Sequence, residues 1–303
     1  MTKGLHIEPT NICTLKCPAC SRTRFIEQWP QHWRNHSIDV QQLLQFLDID
    51  LTGVLILLCG NYGDPIYHPD FLNLVRQLKQ RNAKLHITTN GSYKKIEWWQ
   101  ELVTLLTVDD VVEFSIDGIP ENFTQYRINA DWISIEEGIR VCAQASCHTI
   151  WKFIPFKFNQ SDIETAKKLS QDLGINEFKV KLSDRFDDHT QHLIPDSSLL
   201  RDRYQSMIEW KTNKTSGGVD PQCADGELHY ISADGYYSPC CWAADHRFYY
   251  KTQFGKDQSS YNIADRTLTQ LLDQPDVVKF YQQLEKQPVC QYNCPKLAST
   301  NLT

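Results

Sequence analysis

Three thiols stand close together near the start of the chain: Cys13, Cys17 and Cys20, spaced CxxxCxxC. Thiolates so spaced suit three irons of a [4Fe–4S] cluster and leave the fourth iron without a protein ligand. Such an open iron can bind a small molecule and act on it, whereas a fully ligated cluster chiefly passes electrons. A zinc site or a disulfide pair is the plainer alternative. Zinc favours two CxxC-like pairs, or Cys with His, and three lone thiolates match that poorly.

The chain carries eleven cysteines in all. In a reducing compartment that abundance points to metal ligands rather than disulfides. Cys223, Cys240, Cys241, Cys290 and Cys294 form a second, C-terminal group. Cys59, Cys142 and Cys147 are scattered in apolar or helical surroundings and read as small buried hydrophobes.

The elements that must position these residues alternate along the chain. A short strand over 5–8 runs into the first cysteine loop. The run VLILL over 54–58 reads as a strand buried on both faces. A helix over 70–81 has Phe71, Leu74, Val75 and Leu78 on one face. Further strands are expected over 84–88, 111–115, 150–155 and 178–182, and helices over 95–106, 133–145 and 161–173. Six such βα repeats predict an α/β fold with a parallel sheet, open or curved into a partial barrel. The polar stretch 211–222, KTNKTSGGVDPQ, marks a boundary between a core over 1–210 and a small domain over 211–303. In that domain the turn 232–235 joins two short strands, and helices follow near 267–273 and 275–286.

Composition sets limits. The chain has 303 residues, 41% of them hydrophobic, enough for a sizeable core. Net charge is −6 and no Lys/Arg run exceeds two, which argues against an extended nucleic-acid surface. Trp98, Trp99 and Trp151 therefore read as packing aromatics. His6, His68 and His86, near strand ends, read as structural histidines. Residues 1–10 lack the apolar core of a signal peptide, and the longest apolar run, over 54–59, is too short to span a bilayer. A cytoplasmic protein with no membrane contact is expected.

In a barrel of this kind, reactive groups gather at the C-terminal ends of the strands. Here those ends carry the three cysteines, then G-N-Y-G-D-P over 60–65, T-N-G over 89–91, and S-I-D-G over 115–118 followed by Tyr126 and Arg127. In this order the set resembles the radical SAM superfamily over roughly the first 185 residues. The resemblance implies a partial (β/α)6 TIM-like barrel and a [4Fe–4S] cluster whose open iron chelates S-adenosylmethionine. It further implies one-electron cleavage to a 5′-deoxyadenosyl radical that abstracts a hydrogen atom, with an electron donor such as a flavodoxin or ferredoxin.

Residue by residue, Gly63 and Asp64 fall where the family places a carboxylate against the S-adenosylmethionine ammonium. Asp replaces the usual Glu, about 1.5 Å shorter. Ser115 and Asp117 would meet the ribose or the methionine end, Asn90 the ribose, and Arg127 a carboxylate. Ala19 stands where the family often has an aromatic against the adenine. Cys223, then A-D-G over 233–235, then Cys240 and Cys241 resemble the opening of a SPASM or Twitch domain. That resemblance implies an auxiliary Fe–S cluster on Cys223, Cys240, Cys290 and Cys294, with Cys241 as substitute for Cys240. A zinc knuckle on the same thiolates is the alternative. Lys152, on the fifth strand, is expected to face a substrate cavity, and Tyr236, Tyr237 and Asp225, near the auxiliary site in sequence, to line the substrate pocket. The expected substrate is a peptide or protein side chain. A small molecule or nucleotide is the second reading, and a non-catalytic Fe–S or zinc protein the third.

Overall fold

A computed structural model describes residues 2, 4–183, 185–186, 188–196, 218–221, 223 and 228–294. Six parallel strands form most of one sheet: β1 (Gly4–Ile7), β2 (Leu55–Leu58), β3 (Lys84–Thr89), β4 (Val111–Ser115), β5 (His148–Phe153) and β6 (Glu177–Val180). Each pairs in parallel with its predecessor. Between them run α1 (Ser21–Gln28), α2 (Val40–Phe46), α3 (Phe71–Gln80), α4 (Ile96–Leu105), α5 (Trp132–Ala143) and α6 (Ile163–Asp172). β6 stands at one edge unpaired with β1, so the barrel is partial, as expected.

The two-residue strand period divides the chain's chemistry between two faces. Leu85, Ile87, Val112, Phe114, Trp151 and Phe153 face the helices and are fully buried with Leu74, Leu78, Trp99, Leu102 and Ile139. The close crossing of α5 over α4 requires Gly138, where a Cβ would lie 2.5 Å from the Trp99 ring. Trp99 and Trp151 are thus core residues, and Cys142 and Cys147 are buried among them. The alternate positions face the barrel interior: His6, Glu8, Cys59, His86, Thr88, Glu113, Ser115 and Lys152. An interior built of such groups keeps a polar hollow where most (β/α) barrels pack branched aliphatics.

Two expectations change here. β2 is covered on only one face: Ile56 and Leu58 are buried, but Leu55 is 40% exposed. Its other face looks into the hollow, not onto a second layer. By the same alternation Cys59 lies on the inner face and lines a cavity, so it is not the buried hydrophobe expected from its apolar neighbours. The helices α1 and α2 were not legible as periodic stretches. α2 is started by Asp39, whose side chain accepts the Gln42 N–H at 2.8 Å.

The C-terminal segment joins the barrel through the sheet. β7 (His229–Ile231) lies parallel beside β1, and β8 (Tyr237–Ser238) closes the expected hairpin. Beyond it lie α7 (Gln253–Lys256), α8 (Leu268–Leu272), α9 (Pro275–Gln282) and α10 (Pro288–Asn293). Thr267 starts α8 through a reciprocal cap with Gln270. Of the boundary expected over 211–222, residues 211–217 and 222 lie outside the described residues, as does Asp225. No helix among the described residues is long and apolar enough to cross a membrane.

Candidate active site

The loop after β1 brings Cys13, Cys17 and Cys20 to the lining of one cavity of about 420 Å³ at the C-terminal ends of the strands. Gly63, Asp64, Asn90, Ser115 and Arg127 line the same cavity. Asp117 and Ala19 lie behind the wall, fully buried.

The loops touch closely. A Cβ on Gly63 would sit 1.9 Å from the Thr10 carbonyl oxygen, so only glycine fits. Glu8, at the end of β1, draws the β2 loop inward. Its carboxylate accepts the Tyr62 and Gly63 N–H groups at 2.7 and 2.9 Å, and the Tyr230 hydroxyl from β7. Sequence reasoning missed Glu8. The available signal was a carboxylate closing an otherwise apolar strand.

Asp64 has its oxygens occupied. They accept the Thr89 hydroxyl at 2.8 Å, the Asn90 N–H at 2.6 Å, the Asn90 amide and the Ile66 N–H at 3.3 Å. Burial, which outweighs these bonds, lifts its pKa to about 6. Asn90 continues the chain of contacts, with its amide nitrogen 3.7 Å from the Cys13 sulfur. Arg127 is likewise committed: Nε lies 2.7 Å from Asp117 Oδ2, and Nη1 lies 4.0 Å from the Cys17 sulfur. Asp117 also accepts the Ile154 N–H at 2.8 Å. So Asp64, Asp117 and Arg127 first hold loops and thiols in place. Ser115 differs, because its hydroxyl has no partner among the described residues and opens on the cavity.

Ala19 is fully buried against Tyr126, Phe156 and Leu193. The Tyr126 and Phe156 rings, with centroids 4.2 Å apart, fill the space behind it. Burial, foremost, pushes the Cys13 and Cys17 thiols up to about 12, so metal must displace their protons. Among the described residues no three His, Cys, Asp or Glu side chains converge on a single ion. A cubane instead takes one thiolate per iron, and the donor set suits it.

On the barrel wall Lys152 pairs with Glu113, and His86 lies 3.5 Å from the same carboxylate. Burial alone would raise the Glu113 pKa, but these two partners carry it down to about 2. Lys152 lines the cavity, as its strand position implied. His68 is structural, its ring bonding the Ile38 carbonyl and the Asp70 N–H.

The C-terminal thiols also meet. Cys223, Cys240 and Cys290 are buried in the same core. Cys290 and Cys294 lie one helical turn apart, closed by the Cys294 N–H on the Cys290 carbonyl at 2.8 Å. Cys241 faces His6 of β1. Burial would lower the His6 pKa, but Cys241 and the Cys59 carbonyl outweigh it and shift it upward. Cys241 is less enclosed than Cys240, which is buried with Cys223 and Cys290. The next residue, Trp242, lines the main cavity and was also missed. Tyr237 is buried with His229, which bonds both the Tyr237 and Tyr281 hydroxyls at 3.0 and 2.9 Å. Tyr236 lines a separate hollow of about 160 Å³ between the hairpin and the aromatic residues Phe25, Trp33 and Tyr62.

Comparison with known proteins agrees with this geometry. The sequence matches the radical SAM superfamily over residues 7–169. The tungsten-containing aldehyde ferredoxin oxidoreductase cofactor-modifying protein of Pyrococcus furiosus is 33% identical over 122 residues, 39% of this chain and 32% of that protein. The match thus spans about a third of the relative's length. Streptococcus suis SuiB bound to S-adenosylmethionine superposes with a TM-score of 0.64 at 14% identity, over 96% of this chain and 72% of SuiB. Native anSMEcpe with bound AdoMet and Cp18Cys peptide gives 0.62 at 13% identity, over 97% and 89%. BtrN in complex with AdoMet and 2-DOIA gives 0.52 at 14%, over 98% and 94%. At these identities the structural likeness is one of fold. The superfamily match covers more than half of the sequence, its strand-end motifs surround one cavity, and the chain belongs to the radical SAM superfamily.

Proposed function

We propose that this chain binds a [4Fe–4S] cluster on Cys13, Cys17 and Cys20 and S-adenosylmethionine beside it, and abstracts a hydrogen atom from a peptide or protein side chain. The observation that carries this reading is the meeting of three thiols with Asn90, Ser115 and Arg127 around one cavity. When bound, the two groups supply one-electron cleavage of the sulfonium and the hydrogen abstraction that follows. The chain's own residues position them. Asn90 and Arg127 steady the Cys13 and Cys17 sulfurs. Glu8 and Asp64 tie the β2 loop to its neighbours. The unpartnered Ser115 hydroxyl is available to a ribose. A flavodoxin or ferredoxin is the proposed electron donor.

A peptide substrate is favoured by the fold shared with SuiB, solved with precursor peptide SuiA, and with anSMEcpe, solved with peptide. A small-molecule substrate is the second reading, favoured by the cofactor-modifying name of the curated relative. An extract of cells grown on deuterated medium, split by size, separates the two. Incubated with protein, dithionite and S-adenosylmethionine, the peptide-sized fraction should pass deuterium into 5′-deoxyadenosine. Transfer from the small-molecule fraction alone would establish the second reading instead.

Residues 211–303 are proposed as an auxiliary-cluster domain, with Cys223, Cys240, Cys290 and Cys294 as ligands. Anaerobic reconstitution should then give about eight irons per chain, two cubanes' worth. Cys223→Ser should lower that to about four. A wild-type yield already near four, unchanged by that substitution, would remove the second cluster.

A further inference from the structure

The charges around the cavity do not mirror those of the chain. The protein is net acidic, with 37 Asp and Glu against 31 Lys and Arg. Yet the cavity lining holds Arg22, Arg127, Lys152, Lys181 and Arg185 against Asp64. Two of these cations are neutralised where they stand: Lys152 by Glu113 and Arg127 by Asp117. Asp64 is enclosed by its own hydrogen-bond donors. Arg22 is turned to the Leu15 carbonyl, at 3.4 Å, and to the Trp33 ring. Lys181 and Arg185, at the end of β6 and in the loop beyond it, have no acidic partner among the described residues. The Arg185 backbone is pinned on both sides: its N–H donates to Ser183 Oγ at 3.2 Å, and its carbonyl accepts from Arg24 at 2.7 Å. A backbone so fixed, with a guanidinium that meets no acid among the described residues, is an arm held ready for a ligand. Unpaired cations in a partly enclosed hollow focus a positive field and draw anions.

We infer that the substrate presents an oxyanion, a phosphate or a carboxylate, to Lys181 and Arg185 at the β6 side of the cavity. The inference rests on the reading that the substrate enters this cavity. Both substrate readings admit it: an acidic peptide brings a carboxylate, and a phosphorylated small molecule brings a phosphate.

The test is calorimetric titration of the reconstituted, S-adenosylmethionine-loaded protein with inorganic phosphate, glutarate and the neutral glutaramide. Phosphate or glutarate should bind, glutaramide should not, and added salt should weaken the anions. Lys181→Ala with Arg185→Ala should cut anion affinity at least about tenfold, some 1.4 kcal/mol. The charge-keeping pair Lys181→Arg and Arg185→Lys should retain it, which separates lost charge from lost fold. Tighter phosphate supports a phosphate ester as the source, and tighter glutarate supports a carboxylate. Glutaramide binding as well as glutarate would overturn the inference, as would wild-type anion affinity in the alanine pair. It also falls if that pair loses S-adenosylmethionine instead of the anions, since the cations then serve the methionine carboxylate. Should wild-type protein bind the anions through these residues but never bind S-adenosylmethionine, the inference stands and the reading of the cavity fails.

Discussion

Cys17→Ala is expected to abolish release of 5′-deoxyadenosine, by about a thousandfold or more, equivalent to about 4 kcal/mol. Cys17 is the most enclosed thiol of the triad, 6% exposed, and packs with Leu15, Ala19 and Tyr126. It is also the thiol that Arg127 reaches. Its loss removes one iron ligand and leaves that guanidinium without the sulfur. Iron should fall by about half while the C-terminal thiols keep theirs. The measurement is iron content together with product release under dithionite. Full iron and undiminished product in the variant would remove Cys17 from the cluster, and with it the assignment of the triad.

Arg127→Met is expected to destabilise the protein by about 3–5 kcal/mol, because it leaves the fully buried Asp117 carboxylate without its cation. Removing both charges, in Asp117→Leu with Arg127→Met, should recover most of that loss. Urea unfolding of the apoprotein reads both effects without any cofactor. The result decides between two roles. A large single-variant cost relieved in the double variant makes the pair a structural tie between the β4 loop and the thiol loop. A cost below about 1 kcal/mol would free Arg127 for the carboxylate that the family resemblance first suggested.

Much of the barrel was legible because its signals are local. β4 was read with both ends in place, and α3 and α5 differ from their expected spans by one or two residues. The apolar face of α3 repeats every three to four residues and needs no partner to be seen. α1 gave no such signal, since none of its residues is buried. α10 begins at Pro288 and is too short for a period to emerge.

The candidate site divides along the same line. The spacing of Cys13, Cys17 and Cys20 and the order of the strand-end motifs are properties of the chain alone, and they were enough to point to the family. What each side chain touches was decided only by tertiary structure. Asp64 turned to Thr89 and Asn90, and Arg127 to Asp117, because buried charged groups must find partners, and these lay on neighbouring loops. Cys240 and Cys241 are adjacent in sequence, yet Cys240 is buried and Cys241 only partly so, a division made where β7 docks beside β1 and β8 folds back on it. Glu8, Trp242 and the cavity cations Lys181 and Arg185 acquired their places in the same manner. Spacing along a chain specifies which groups share a strand end or a helix face. Which of them meet across the barrel depends on the closure of long loops, and that is settled by packing and by the pairing of buried charge.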